Sequence, residues 1–98
     1  MPPEAVSDQQ FDAWYSNHND WLQRWLRRRL DDHSVAADLA QDTFLRVWVK
    51  SQSSMPPEVN EPRAYLTTIA KRLMINYCER QSLERAFMAT LEQLPEPL

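Results

Sequence analysis

The 98 residues suit a single domain with a modest core, and a net charge of −3 argues against a general nucleic-acid-coating protein. The complete absence of Gly excludes a Gly-rich phosphate loop and leaves few sites for positive φ, so sharp hairpins are disfavoured. No stretch reaches the roughly 18–20 apolar residues of a membrane span, the N-terminus lacks a signal-peptide pattern, and the lone Cys78 cannot close an intramolecular disulfide, so a reducing, cytoplasmic setting is expected.

Leu, Ala, Arg and Gln dominate the remainder and favour helix, which predicts an all-α chain. Residues 1–7 read as a disordered lead. Ser7 with Gln10 forms a capping box, and Phe11, Trp14, Tyr15, Leu22, Trp25, Leu26 and Leu30 then share one broad face of a helix over 8–31. The polar run 16–20 is a place where that helix can kink. Ser34 is a suitable N-cap for a second helix over 34–51. Residues 52–61 are rich in Pro and Ser and read as a loop. Pro62 suits a first helical turn, capped by Asn60 or Glu61. It opens a third helix over 62–81 with Tyr65, Leu66, Ile69, Ala70, Leu73 and Tyr77 on its buried face. Ser82 is a candidate cap for a last helix over 83–94, along which Leu83, Phe87, Leu91 and Leu94 align. Residues 95–98 then read as the start of a linker.

Charge is unevenly spread. Residues 23–30 hold four Arg, residues 31–62 hold six acids against two bases, and residues 63–85 hold five bases against two acids. The Arg run, Arg24, Arg27, Arg28 and Arg29, suits the C-terminal end of a helix. On the second helix, Val35, Ala36, Leu39, Ala40, Thr43, Phe44, Val47 and Trp48 cover an arc of about 220°. The remaining arc holds Asp38, Gln41, Asp42, Leu45 and Val49. An apolar centre ringed by polar groups is the anatomy of a small protein interface. Packing of Leu45 and Val49 under a neighbouring loop is the other reading that this pattern allows.

The block Asp38-Leu39-Ala40-Gln41-Asp42-Thr43-Phe44-Leu45-Arg46-Val47-Trp48 resembles region 2.2 of extracytoplasmic-function sigma factors. The block Pro62-Arg63-Ala64-Tyr65-Leu66-Thr67-Thr68-Ile69-Ala70-Lys71-Arg72-Leu73, with Asn76-Tyr77, resembles their region 2.4. The likeness spans about residues 8–94 and is nearest to the iron-starvation group, which works with iron-siderophore receptors. It implies a three-helix region 2 bundle with a short C-terminal helical extension. It further implies a transcription initiation factor acting on iron-uptake genes, followed in the family by a helix-turn-helix domain for the −35 element that this sequence does not contain. The implied partners are core RNA polymerase, through the clamp coiled coil of its largest subunit, the promoter −10 element, and a membrane-anchored anti-sigma factor or sigma regulator.

By that resemblance Asp38, Gln41, Asp42 and Leu45 dock on polymerase, with acids facing a basic coiled coil and Leu45 as apolar anchor. Arg63, Thr67, Thr68, Lys71, Arg72, Asn76 and Arg80 contact DNA, where cations neutralise phosphates and polar side chains read base edges. Charge alone would leave that helix face an ordinary solvated one. Ser51, Gln52, Ser53, Ser54 and Asn60 belong to the loop that receives a base flipped from the non-template strand, at a cost of a few kcal/mol in stacking and pairing. Primary sigma factors carry an aromatic pair where this chain has Tyr65 and Leu66, so melting is expected to be more sequence-demanding here. Tyr65 itself abuts the apolar stripe and reads first as core.

Trp14, Trp21 and Trp25 recur at helical spacing and read as core or groove-filling side chains. His18, His33 and Cys78 match no metal-ligand spacing. No catalytic triad pattern is present, and neither enzymatic activity, a cofactor, a metal nor a small-molecule substrate is expected. A helical protein-interaction adaptor without a DNA role is the alternative reading.

Overall fold

The computed structural model describes residues 8–53 and 61–95. They form three helices: α1 (Asp8–Arg27), α2 (His33–Ser53) and α3 (Pro62–Glu92). No strand occurs among the described residues, and the fold is all-α. The lead at 1–7, the Ser7–Gln10 capping pair, the side chains of Ser51, Gln52 and Ser53, the loop positions Ser54 and Asn60, and residues 96–98 lie outside what is described.

α1 runs unbroken through the polar segment at 16–20, where the Gln23 side-chain amide donates to Asn19 Oδ1 at 3.2 Å one turn away. It stops at Arg27 rather than at 31. Arg29 N–H bonds to Leu26 O at 3.0 Å, and Leu30 N–H to the same carbonyl at 2.9 Å, tightening the last turn. Asp32 rather than Ser34 starts α2. Its Oδ1 accepts from the backbone N–H of Ser34 at 2.9 Å and of Val35 at 3.2 Å. A carboxylate there satisfies two otherwise orphan donors and meets the positive end of the helix dipole.

α2 continues through Ser53, so Ser51, Gln52 and Ser53 are its last helical positions and not the start of a loop. The first residue able to force the helix to end is Pro56, and Ser and Gln are tolerated in a final turn. α3 opens with Pro62 in its first turn, where the missing N–H costs nothing, and Glu61 makes no side-chain cap bond. It then runs as one helix to Glu92, with no break at Ser82. Between Pro62 and Pro95 the sequence offers neither Gly nor Pro, and a Ser inside a helix is only mildly unfavourable. Every described backbone position has negative φ, including the tight α1–α2 turn.

The core is a three-way seam. Leu22 and Leu26 from α1, Ala36, Ala40, Phe44 and Val47 from α2, and Leu66 and Ala70 from α3 are buried together. Ala at three of these positions lets the helices approach closely enough for Phe44 and the Leu side chains to fill the space between them. Buried Thr43 is satisfied by donating its hydroxyl to Leu39 O at 2.7 Å. Phe11, Trp14, Trp21 and Trp25 pack partly buried against this core. Rings meet edge-on across the seams: Phe11 with Trp48, Tyr15 with Phe44, and Trp14 with Tyr65, at 5.0, 4.9 and 6.1 Å between centroids. Tyr65 is thus a packing residue of the α1–α3 seam.

α3 has two halves. Leu66, Ala70 and Leu73 are buried, whereas Leu83, Phe87 and Leu91 are 71%, 62% and 43% exposed, and Leu94, just past the helix end, is 58% exposed. Along its last third the helix leaves the bundle.

Candidate functional site

Two outward faces stand clear of the core. On α2, Asp38 and Gln41 are exposed and Asp42 half-buried. Leu45 and Val49 are both more than half exposed, so neither is packed under a neighbour among the described residues. Asp42 pairs with Arg46 one turn on, at 3.6 Å. An exposed pair at this spacing is worth only about 0.3–0.5 kcal/mol, so an incoming cation can compete for the carboxylate.

Beside this ridge lies an open groove of about 500 Å³, walled by Phe11, Asp12 and Tyr15 from α1 and by Gln41, Phe44, Leu45 and Trp48 from α2. The groove brings Gln41 and Leu45 together. By helical position, Asp38 and Asp42 fall on the far side of Leu45. Asp12 and Tyr15 are additions that the sequence reading did not make. Tyr15 belongs to the apolar face of α1 yet is exposed, and exposed Asp12 lines the same groove wall.

On α3, Thr68, Lys71, Arg72 and Asn76 line a shallow concavity together with Ile75. Four of the seven expected DNA contacts therefore converge there. The other three do not. The Arg63 guanidinium lies over the Trp21 ring, 4.8 Å from its centroid, a cation–π contact that holds it on the α1–α3 seam. Thr67 is half-buried. Arg80 is exposed two turns beyond Arg72, outside the concavity. The Thr67 and Thr68 hydroxyls both donate to Ala64 O, at 3.0 and 2.9 Å. Each proton is therefore committed to the helix backbone, which leaves the oxygen as acceptor.

Two of the four Arg at and just past the end of α1 are engaged at home. Arg27 Nε donates to Gln23 O at 3.3 Å, and Arg29 donates to Trp25 O at 3.0 Å while stacking 3.8 Å above that ring. His18 is half-buried beside Trp14 with no hydrogen bond to its Nδ1. Burial, and then the charge of Arg63, hold its pKa below the ordinary 6.5. Among the described residues no cluster of His, Cys, Asp or Glu could hold a metal ion, and no helix is long and apolar enough to cross a membrane.

The sequence matches the family described as Sigma-70 region 2 over residues 14–84, which takes in all of the core and both outward faces. The chain belongs to the Sigma-70 region 2 family. It is 43% identical over 86 residues to the ferric citrate uptake sigma factor FecI of Escherichia coli (strain K12), an alignment covering 88% of this chain and 48% of FecI. The chain thus spans about half the length of that relative. No solved structure matches it. Within region 2 the α2 ridge and the α3 concavity occupy the two blocks whose resemblance to regions 2.2 and 2.4 is visible in the sequence.

Proposed function

We propose that this chain is the core-polymerase-binding and −10-recognising part of an extracytoplasmic-function sigma factor for iron-uptake genes, working in the cytoplasm. The observation that carries the reading is the pair of separate outward faces on a region 2 bundle: an acidic and apolar ridge on α2 and a cationic concavity on α3. Asp38, Gln41 and Asp42 supply charge complementarity to a basic coiled coil of the polymerase clamp, and Leu45 supplies the desolvated anchor. Lys71 and Arg72 neutralise phosphates of the promoter duplex, and Thr68 and Asn76 offer acceptors and donors to base edges. The segment after Ser53 receives the flipped −10 base. The chain makes and breaks no bonds itself, because strand opening is driven by exchanging stacked bases for protein contacts. A membrane-anchored regulator controls access to polymerase. The identity with a ferric citrate uptake sigma factor supports the assignment to iron-uptake genes.

Two double substitutions test this. Gln41→Ala with Asp42→Ala weakens binding to core RNA polymerase. Lys71→Ala with Arg72→Ala leaves that binding intact and abolishes capture of promoter fragments. Circular dichroism verifies the fold of each variant. If neither pair moves either assay, the proposal is wrong.

A further inference from the structure

We infer that Ile75 is a base-reading residue, whose side chain contacts the 5-methyl group of a thymine in the duplex just upstream of the melted −10 segment. The inference rests on the assignment of the α3 concavity to DNA and adds a specificity determinant to it.

Ile75 lies nine residues after Leu66, which places it about 180° around the helix from that buried side chain. It is 45% exposed, at the centre of the outermost arc of α3. Lys71 and Arg72 lie on either side of it in that arc, and Thr68 and Asn76 complete the concavity. Packing does not explain an aliphatic residue there, because the buried face of α3 points the other way. Helix propensity does not explain it either, since β-branched Ile is an indifferent helix former.

Two cations flanking the residue would fix a phosphate backbone on each side and bring Ile75 against the floor of the groove between them. The major groove offers one apolar feature there, the thymine methyl, and aliphatic contact with it discriminates without hydrogen bonds. Glu79 follows one turn after Ile75 on the same arc and is exposed. Its charge opposes phosphate, so the duplex footprint ends at about Ile75 and Asn76. The committed Thr68 hydroxyl proton leaves that side chain accepting only, which suits a neighbouring base that presents an amino group.

The test uses the full chain bound to core RNA polymerase and promoter fragments randomised over the base pairs upstream of the −10 element. The wild type enriches thymine at one position, and Ile75→Ala loses that enrichment. On a single fragment, replacing that thymine by deoxyuridine weakens wild-type binding about four-fold, the factor for one buried methyl group. The same replacement leaves Ile75→Ala binding unchanged. Equal wild-type affinity for thymine and deoxyuridine at every position overturns the inference, as does an undiminished deoxyuridine penalty in Ile75→Ala. Lys71→Ala with Arg72→Ala separates the two levels. If that pair lowers affinity for all fragments while Ile75 is silent, base reading by Ile75 alone is refuted. If that pair has no effect either, the DNA role of α3 falls with it.

Discussion

The two ends of α3 are made of similar residues and live in different surroundings. Leu66, Ala70 and Leu73 are buried in the bundle, while Leu83, Phe87 and Leu91 lie on the same continuous helix and touch no core. The first segment is held by tertiary packing, and the second ends at Glu92, with Leu94 just beyond it. The second is held by its own backbone hydrogen bonds and by the ordered turns before it, and a helical segment of this length is marginal when nothing packs on it. Amphipathic spacing thus identifies a helix in both places and says nothing about whether its apolar side is covered.

Substitutions break or sharpen that contrast. The largest effect is expected from Leu66→Ala, which removes a fully buried side chain and should lower unfolding stability by about 2–5 kcal/mol in denaturant titration. Next comes Asp32→Ala, which removes a cap bonded to two backbone amides and should cost about 1 kcal/mol by the same measurement. Acidification acts through the packed seam. His18 has a depressed pKa in the folded state, so the unfolded chain binds its proton first. Stability is complete above the ordinary value of 6.5 and declines as pH falls below it towards the folded value. His18→Gln should flatten that part of the pH–stability curve, and an unaltered slope would show that the seam does not penalise the charged imidazole. The smallest effect is expected from Phe87→Ala, within about 0.5 kcal/mol, as for other surface sites. A cost comparable with that of Leu66→Ala would show that the far end of α3 is packed in solution. Hydrogen exchange should agree, with amides at 84–92 exchanging well before those at 66–77.

Much of this was legible in the residues. The α2 ridge follows from a single helical wheel, because an arc holding Asp38, Gln41, Asp42, Leu45 and Val49 cannot face a core without stranding two carboxylates. The three Trp of α1 and the packing role of Tyr65 were readable from apolar periodicity. Ser82 was misread because a residue that caps helices, followed by apolar residues at helical spacing, looks like a fresh start. Only a breaker would have made it one. Gln52 and Ser53 were misread for the converse reason, since proximity to prolines suggested a loop several residues before Pro56 obliges one. The site was less legible wherever two helices cooperate. A wheel of α1 cannot show Asp12 and Tyr15 facing Gln41 and Leu45, and a wheel of α3 cannot show a long Arg63 side chain reaching back to Trp21.

The all-negative φ values of the described backbone bear on how the chain tolerates change. At none of these positions does the main chain adopt a conformation that a Cβ atom would strain, so no described site is reserved for one residue type on backbone grounds. A saturation library scored for folded protein should therefore show intolerance that follows burial, apart from proline inside the helices: severe at Leu22, Leu26, Phe44 and Leu66, and mild through the α1–α2 turn except at the Asp32 cap.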